Sequence, residues 1–190
     1  MRYPPKHKNQ TRQRIIDTAA RLFRQDGIDA TGLQPLMKSL GLTPGGFYAH
    51  FKSKDELVET ALQRAVEQRQ ARTGEELTSE QPLAEFVAHY LSSVHRANPG
   101  AGCPLPTISA ELGQRGQPSA TTDRFILDRL NMIESKLDCE DAAEQSVLLL
   151  SSMVGALLLS RSTSDPQLSD RLLKATRKLL IEHVGTQLGA

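Results

Sequence analysis

The chain has 190 residues and only two cysteines, Cys103 and Cys139, a length that supports a buried core without disulfide staples. Its net charge of +1 hides a segregation: residues 1–54 carry 10 Lys/Arg against 3 Asp/Glu, and the remainder carries 13 against 19. A basic N-terminal third on an acidic remainder is the footprint of a nucleic-acid-binding module, and an N-terminus without an apolar stretch points to the cytoplasm.

From Lys8 to Gln25, Ile15, Ala19, Leu22 and Phe23 fall at helical spacing with Ile16 and Ala20 beside them, while Arg and Gln fill the other face, which predicts an amphipathic helix. Gly27 stops it. Thr31-Gly32-Leu33-Gln34 fits a capping box, so a short second helix is predicted from near residue 32 to Leu40, with Pro35 tolerated in its first turn. After Gly41, Thr43-Pro44 opens a third helix through Phe47, Tyr48 and Phe51. Ser53-Lys54-Asp55-Glu56 repeats the capping box and starts a longer helix through Val66.

Residues 73–81 read as a polar loop. Pro82 then starts a helix with Leu83, Phe86, Val87, Tyr90, Leu91 and Val94 at core spacing, and Asn98 to Gly102 breaks the chain. A short helical segment around 108–112, a Gly/Pro break at 113–118 and helices near 119–138, 140–160 and 168–185 follow. The apolar run Val147 to Leu159 is about 13 residues and is interrupted by Ser151, Ser152 and Gly155. A bilayer span takes roughly 20 apolar residues, so no membrane anchor is expected. Leu168, Leu172, Ala175 and Leu179 form a stripe on the last helix. Two such apolar helices in a modest chain predict a homodimer through an intermolecular four-helix bundle, near 140–160 and 168–185.

The fold class expected is therefore all-α with about nine helices: a helix-turn-helix domain at 1–53 and an effector-binding and dimerisation domain at 54–190. No Gly-rich phosphate loop, CxxC pair, HExxH or GxSxG occurs, and His7, His50, His89, His95 and His183 lack metal-ligand spacing. No catalytic residue, metal site or cofactor is expected, and the chain reads as a non-enzyme.

The chemistry concentrates between Leu36 and Phe51. Helix, glycine turn (Leu40-Gly41-Leu42), helix is the arrangement that sets a second helix into a major groove. Gly45 and Gly46 in that helix's first turn cost roughly 1 kcal/mol each relative to Ala, a cost that close backbone approach to DNA explains. Phe47 and Phe51 anchor the helix to the core, leaving Thr43, Tyr48 and His50 to hydrogen-bond phosphates or base edges. Lys52, Lys54 and, from the preceding helix, Lys38 supply phosphate-binding cations.

Gly27-Ile28-Asp29-Ala30-Thr31, then Leu36 through Thr43, then Gly46-Phe47-Tyr48-Ala49-His50-Phe51-Lys52-Ser53-Lys54-Asp55-Glu56-Leu57 resembles the DNA-binding signature of the TetR family across residues 8–60. The resemblance implies an all-α homodimeric regulator, most often a repressor. Its third helix reads the major groove of a near-palindromic double-stranded operator, and Tyr48, Lys54 and Thr31 contact phosphates. Gly32 and Pro35 depart from the family pattern, as does the sparse set of base-reading side chains left by Gly45-Gly46.

In the C-terminal part Phe86, His89, Tyr90, His95 and Phe125 are candidate walls of a site for a small-molecule effector. Cys103, after the loop Asn98 to Gly102, is a candidate sensor thiol for an electrophile or oxidant if it begins a helix, whose dipole lowers a thiol pKa. The Gly102-Cys103-Pro104 element is similar to one in a TetR-family branch that includes thiol-based sensors. Acidic neighbours raise rather than lower the pKa of Cys139.

Overall fold

A computed structural model describes residues 5–76 and 82–187. Among the described residues there are nine α-helices and no strand: α1 (Pro5–Asp26), α2 (Leu33–Ser39), α3 (Lys54–Glu76), α4 (Pro82–Tyr90), α5 (Ser93–Ala97), α6 (Ala110–Gln114), α7 (Ala120–Glu134), α8 (Ala142–Ser162) and α9 (Pro166–Gln187). A 3-10 helix spans Pro44–Ala49, a 3-10 turn Pro99–Ala101 and a π-turn Leu105–Ser109. The all-α class is the one expected. The polar loop predicted from residue 73 is helical through Glu76, and its remainder, 77–81, lies outside the described residues.

The chain forms two compact units, Met1–Arg69 with Gly100–Thr121, and Gln70–Pro99 with Thr122–Ala190. This differs from a division at 53/54. The first unit keeps most of α3 because Leu57, Val58, Ala61, Leu62 and Ala65 are buried, as are Ile15, Ile16, Ala19, Ala20 and Phe23 of α1. Polar links join the same two helices: Arg64 Nε donates to Asp17 Oδ1 at 2.7 Å and Arg24 Nη2 to Gln68 Oε1 at 2.8 Å. Segment 100–121 joins this unit through Gly100, where an added Cβ would lie 3.0 Å from Arg21 Cγ and 3.3 Å from the Arg21 carbonyl oxygen. Glu59 of α3 then accepts from the hydroxyls of Ser119, at 2.8 Å, and Thr121.

In the second unit α8 and α9 form an antiparallel hairpin. Ser169 Oγ donates to the Ser160 carbonyl at 2.6 Å, and His183 Nε2 lies 2.6 Å from Gln145 Oε1 at the other end. Arg161 of α8 donates to the carbonyls of His95 and Arg96 at the end of α5, and Arg96 pairs with Asp170 of α9 at 2.8 Å. Leu83, Phe86, Val87, Tyr90 and Leu91 are buried as expected. Val94 is not: at 66% exposed it points to solvent, because the helix breaks at Leu91–Ser92 and restarts in a new direction with the Ser92 hydroxyl as N-cap.

Candidate nucleic-acid interface

The helix-turn-helix begins with α2, which ends in a Schellman motif: Leu42 N–H donates to Met37 O at 2.9 Å and Gly41 N–H to Lys38 O at 3.0 Å, with Gly41 at φ +70°. A side chain resists that dihedral and glycine does not. Arg14 of α1 donates to the Leu40 carbonyl at 3.3 Å, adding a cation where the carbonyl ends of α2 concentrate negative charge.

The second element of the motif is a 3-10 helix, Pro44–Ala49, where an α-helix was expected. Its hydrogen bonds close on the third residue, as in Gly46 N–H to Thr43 O at 3.0 Å and His50 N–H to Phe47 O at 2.9 Å. Six residues with two glycines give an α-helix little to propagate. Thr43 is exposed and is the N-cap in backbone conformation but makes no side-chain cap hydrogen bond; its Oγ1 lies 3.5 Å from where a Cβ on Gly46 would be.

Phe47 and Phe51 anchor the element as their spacing predicted. Both are buried and their rings stack at 5.4 Å between centroids. Arg12 of α1 covers the Phe51 ring, its guanidinium carbon 4.7 Å from the centroid, and lies 3.5 Å from Glu56. Tyr48 stands edge-on to Phe47 at 5.2 Å and is 69% exposed, its phenol presented outward. An added Cβ at Gly45 meets nothing within 4 Å, so the fold of the free protein does not demand glycine there. Lys8, Lys38 and Lys52 are exposed around this face.

His50 caps the element's C-terminus and is half-buried, its Nδ1 enclosed without a hydrogen-bond partner among the described residues. Burial, then the positive charges of Lys8 and Arg12, hold its pKa below the ordinary 6.5. The imidazole at this surface is neutral at neutral pH.

Two expected phosphate contacts have internal partners. Thr31 was expected to cap α2, but Gly32 is the N-cap, and the buried Thr31 hydroxyl donates back to Gly27 O at 2.7 Å. Lys54 Nζ donates to Ile28 O at 2.7 Å. Half of the second capping box forms: Glu56 N–H donates to Ser53 Oγ at 3.1 Å, while Glu56 Oε2 accepts from the N–H of Lys52, one residue before the cap, at 2.7 Å.

Of the effector candidates, the second unit brings Phe86, Tyr90 and His95 together. The Phe86 and Tyr90 rings lie 6.1 Å apart, and His95 is edge-on to Tyr90 at 4.7 Å with Nδ1 2.7 Å from the Tyr90 carbonyl. His89 is exposed. Phe125 is buried beneath Arg129, whose guanidinium carbon is 5.2 Å from the ring centroid. Cys103 belongs to the other unit, is 3% exposed, and lies two residues before the π-turn Leu105–Ser109, which runs directly into α6. Cys139 is half-buried, and desolvation followed by its hydrogen bond to Asp141 pushes its thiol up. The roles of Arg12, Arg14 and Arg129 escaped the sequence reading. Only the i, i+4 spacing of Phe125 and Arg129 signalled any of them.

Residues 15–61 match the family model described as bacterial regulatory proteins, tetR family. An uncharacterised HTH-type transcriptional regulator of Mycobacterium tuberculosis is 26% identical over 182 residues, covering 90% of this chain and 94% of its own. AcrR of Shigella flexneri, an HTH-type transcriptional regulator, is 48% identical over 48 residues, 25% of this chain and 22% of its own. Among solved structures, a TetR transcriptional regulator from Chloroflexus aurantiacus superposes with a TM-score of 0.79 at 23% identity, covering 96% of this chain and 98% of that one.

Proposed function

We propose, from the premise that this chain belongs to the tetR family of bacterial regulatory proteins and is a DNA-binding transcriptional regulator rather than an enzyme, that it is a cytoplasmic homodimeric repressor released from its operator by a small-molecule effector. The observation that carries the reading is the 3-10 helix itself. An exposed phenol, the exposed Thr43 and an open backbone at Gly45 stand on a buried Phe47–Phe51 base, with Lys8, Lys38 and Lys52 exposed as cations of the same unit. Such a surface suits phosphate and base-edge contacts by short side chains and main-chain amides.

The partner protomer is assigned to α8 and α9. Val147, Leu148, Leu158 and Leu159 of α8 and Leu168 and Leu179 of α9 are exposed apolar residues on a helical hairpin whose partner in a second copy would be the same hairpin, closing a four-helix bundle. By length and composition α8 could also cross a bilayer. Its exposed Ser151 and Ser162 and the half-buried Arg161 suit a protein interface better than lipid. With two protomers, each 3-10 helix would enter a major groove of a near-palindromic site, half-sites spaced by roughly 34 Å or a multiple.

The effector is assigned to the second unit, near Phe86, Tyr90 and His95, aromatic and imidazole side chains of the kind that line small-molecule sites. Burial of Cys103 favours a reversibly bound small molecule over thiol modification, so Cys103→Ser is expected to leave induction intact. The test combines fluorescence anisotropy on the duplex upstream of the chain's own gene, at two salt concentrations, with a reporter driven by the same promoter. Salt-sensitive binding weakened by Tyr48→Ala and Lys52→Ala, with reporter output rising when the gene is deleted, supports repression. A fall in output on deletion would identify an activator, and no binding at either salt would reject this operator.

A further inference from the structure

The turn from Gly27 to Thr31, between α1 and α2, is held by side chains from three parts of the first unit. Glu111 of α6 accepts from Ile28 N–H at 2.5 Å through Oε2. Lys54 Nζ, at the start of α3, donates to the carbonyl of the same residue at 2.7 Å, and Thr31 Oγ1 donates to Gly27 O at 2.7 Å. Arg115, one turn beyond Glu111, pairs with Asp29. Gly27 sits at φ +93°, and a Cβ there would lie 3.1 Å from Glu111 Cδ and closer still to Oε1. The carboxylate thus fits against a backbone that only glycine provides. Both polar groups of buried Ile28 are bound by ionic side chains, the stronger kind of hydrogen bond.

We propose that Glu111 is a positioning residue for DNA binding: by holding the Ile28 amide it fixes the turn that sets the direction of α2 and the seat of Lys54. It need not touch DNA. Its place is 83 residues along the chain from the amide it holds, so no local pattern marks it. The inference rests on the DNA-binding reading above, and electrostatics gives it a sign that can fail. Glu111 puts a negative charge on the unit that meets phosphate, so by charge alone its removal strengthens binding. A positioning role requires the opposite.

The experiment compares the full-length protein with Glu111→Ala and Glu111→Gln on the upstream duplex, and follows amide hydrogen exchange of residues 27–31 without DNA. Glu111→Ala is expected to weaken binding about tenfold, the loss expected when one charge-assisted bond is removed, and to speed exchange at Ile28 while the α8 and α9 amides are unchanged. Glu111→Gln keeps an acceptor without the charge and is expected to restore binding to within about twofold of the parent. Binding by Glu111→Ala equal to or tighter than the parent overturns the proposal, as does failure of Glu111→Gln to rescue. If the parent itself binds no fragment, the operator assignment fails instead. Exchange then decides alone, and an unchanged Ile28 rate in Glu111→Ala overturns the positioning role.

Discussion

Gly45 separates what folding needs from what DNA binding needs. Its missing side chain faces open space, so alanine fits the free protein and lowers the entropy of the unfolded chain, stabilising by up to about 1 kcal/mol. In the proposed contact with DNA the same methyl stands where the backbone approaches phosphate or a base edge. Gly45→Ala is therefore expected to raise the melting temperature slightly while weakening operator binding, and thermal melts beside anisotropy check both halves. Parallel losses in both would mean that the glycine serves the fold. His50 makes a second residue-scale prediction. Its folded pKa lies below 6.5, through burial first and then Lys8 and Arg12, so the unfolded chain binds its proton at higher pH than the native one does. Stability rises with pH wherever the unfolded state holds more protons. The imidazole's contribution is thus complete well above pH 6.5 and is lost as pH falls through that value. His50→Gln is expected to flatten the decline of melting temperature between about pH 7.5 and pH 5.5, and a slope equal to the parent's would assign the pH dependence to other groups.

Helix ends decide whether the elements hold their places. Ser53→Ala removes the acceptor for Glu56 N–H and is expected to cost about 1 kcal/mol, read as a lower denaturant midpoint. Gly27→Ala meets two penalties, a positive φ and the Glu111 carboxylate. It is expected to destabilise by about 2 kcal/mol or more, and a denaturation curve matching the parent's would show that the turn relaxes freely. These ends also mark how far the sequence could be read. Gly41, the Ser53 cap on Glu56 and Pro82 act through neighbours within a few positions, and all three do what their spacing indicated. Thr31-Gly32-Leu33-Gln34 has the same local form, yet the Thr31 hydroxyl turns back to Gly27 O, a choice made by tertiary packing of a buried residue. A period of 3.6 does not separate a short α-helix from a 3-10 helix, which is why Pro44–Ala49 read as the former. In the interface, Phe47, Phe51 and Tyr48 were legible because burial and exposure follow spacing. The engagement of Lys54, and the hold of Glu111 and Arg115 on residues 28 and 29, were not, since periodicity carries no information about partners dozens of residues away.

At the scale of the whole molecule, the exposed apolar face of α8 and α9 is the feature the single chain leaves unbalanced. Leu159 is 52% exposed and Leu179 63%, so a charge at either position leaves the core of one protomer intact. In a two-fold interface every substitution appears twice on a self-complementary surface, and buried carboxylates lack partners there. Leu159→Glu with Leu179→Glu is expected to convert a dimer to monomers with far-ultraviolet dichroism unchanged, as measured by sedimentation velocity. The same pair is expected to reduce operator affinity about a hundredfold or more, because two heads joined in one dimer bind the second half-site at high effective concentration and separate heads do not. Binding to an isolated half-site then changes little. A variant that remains dimeric would place the interface elsewhere, and a monomer with full operator affinity would show that each head reads its site alone.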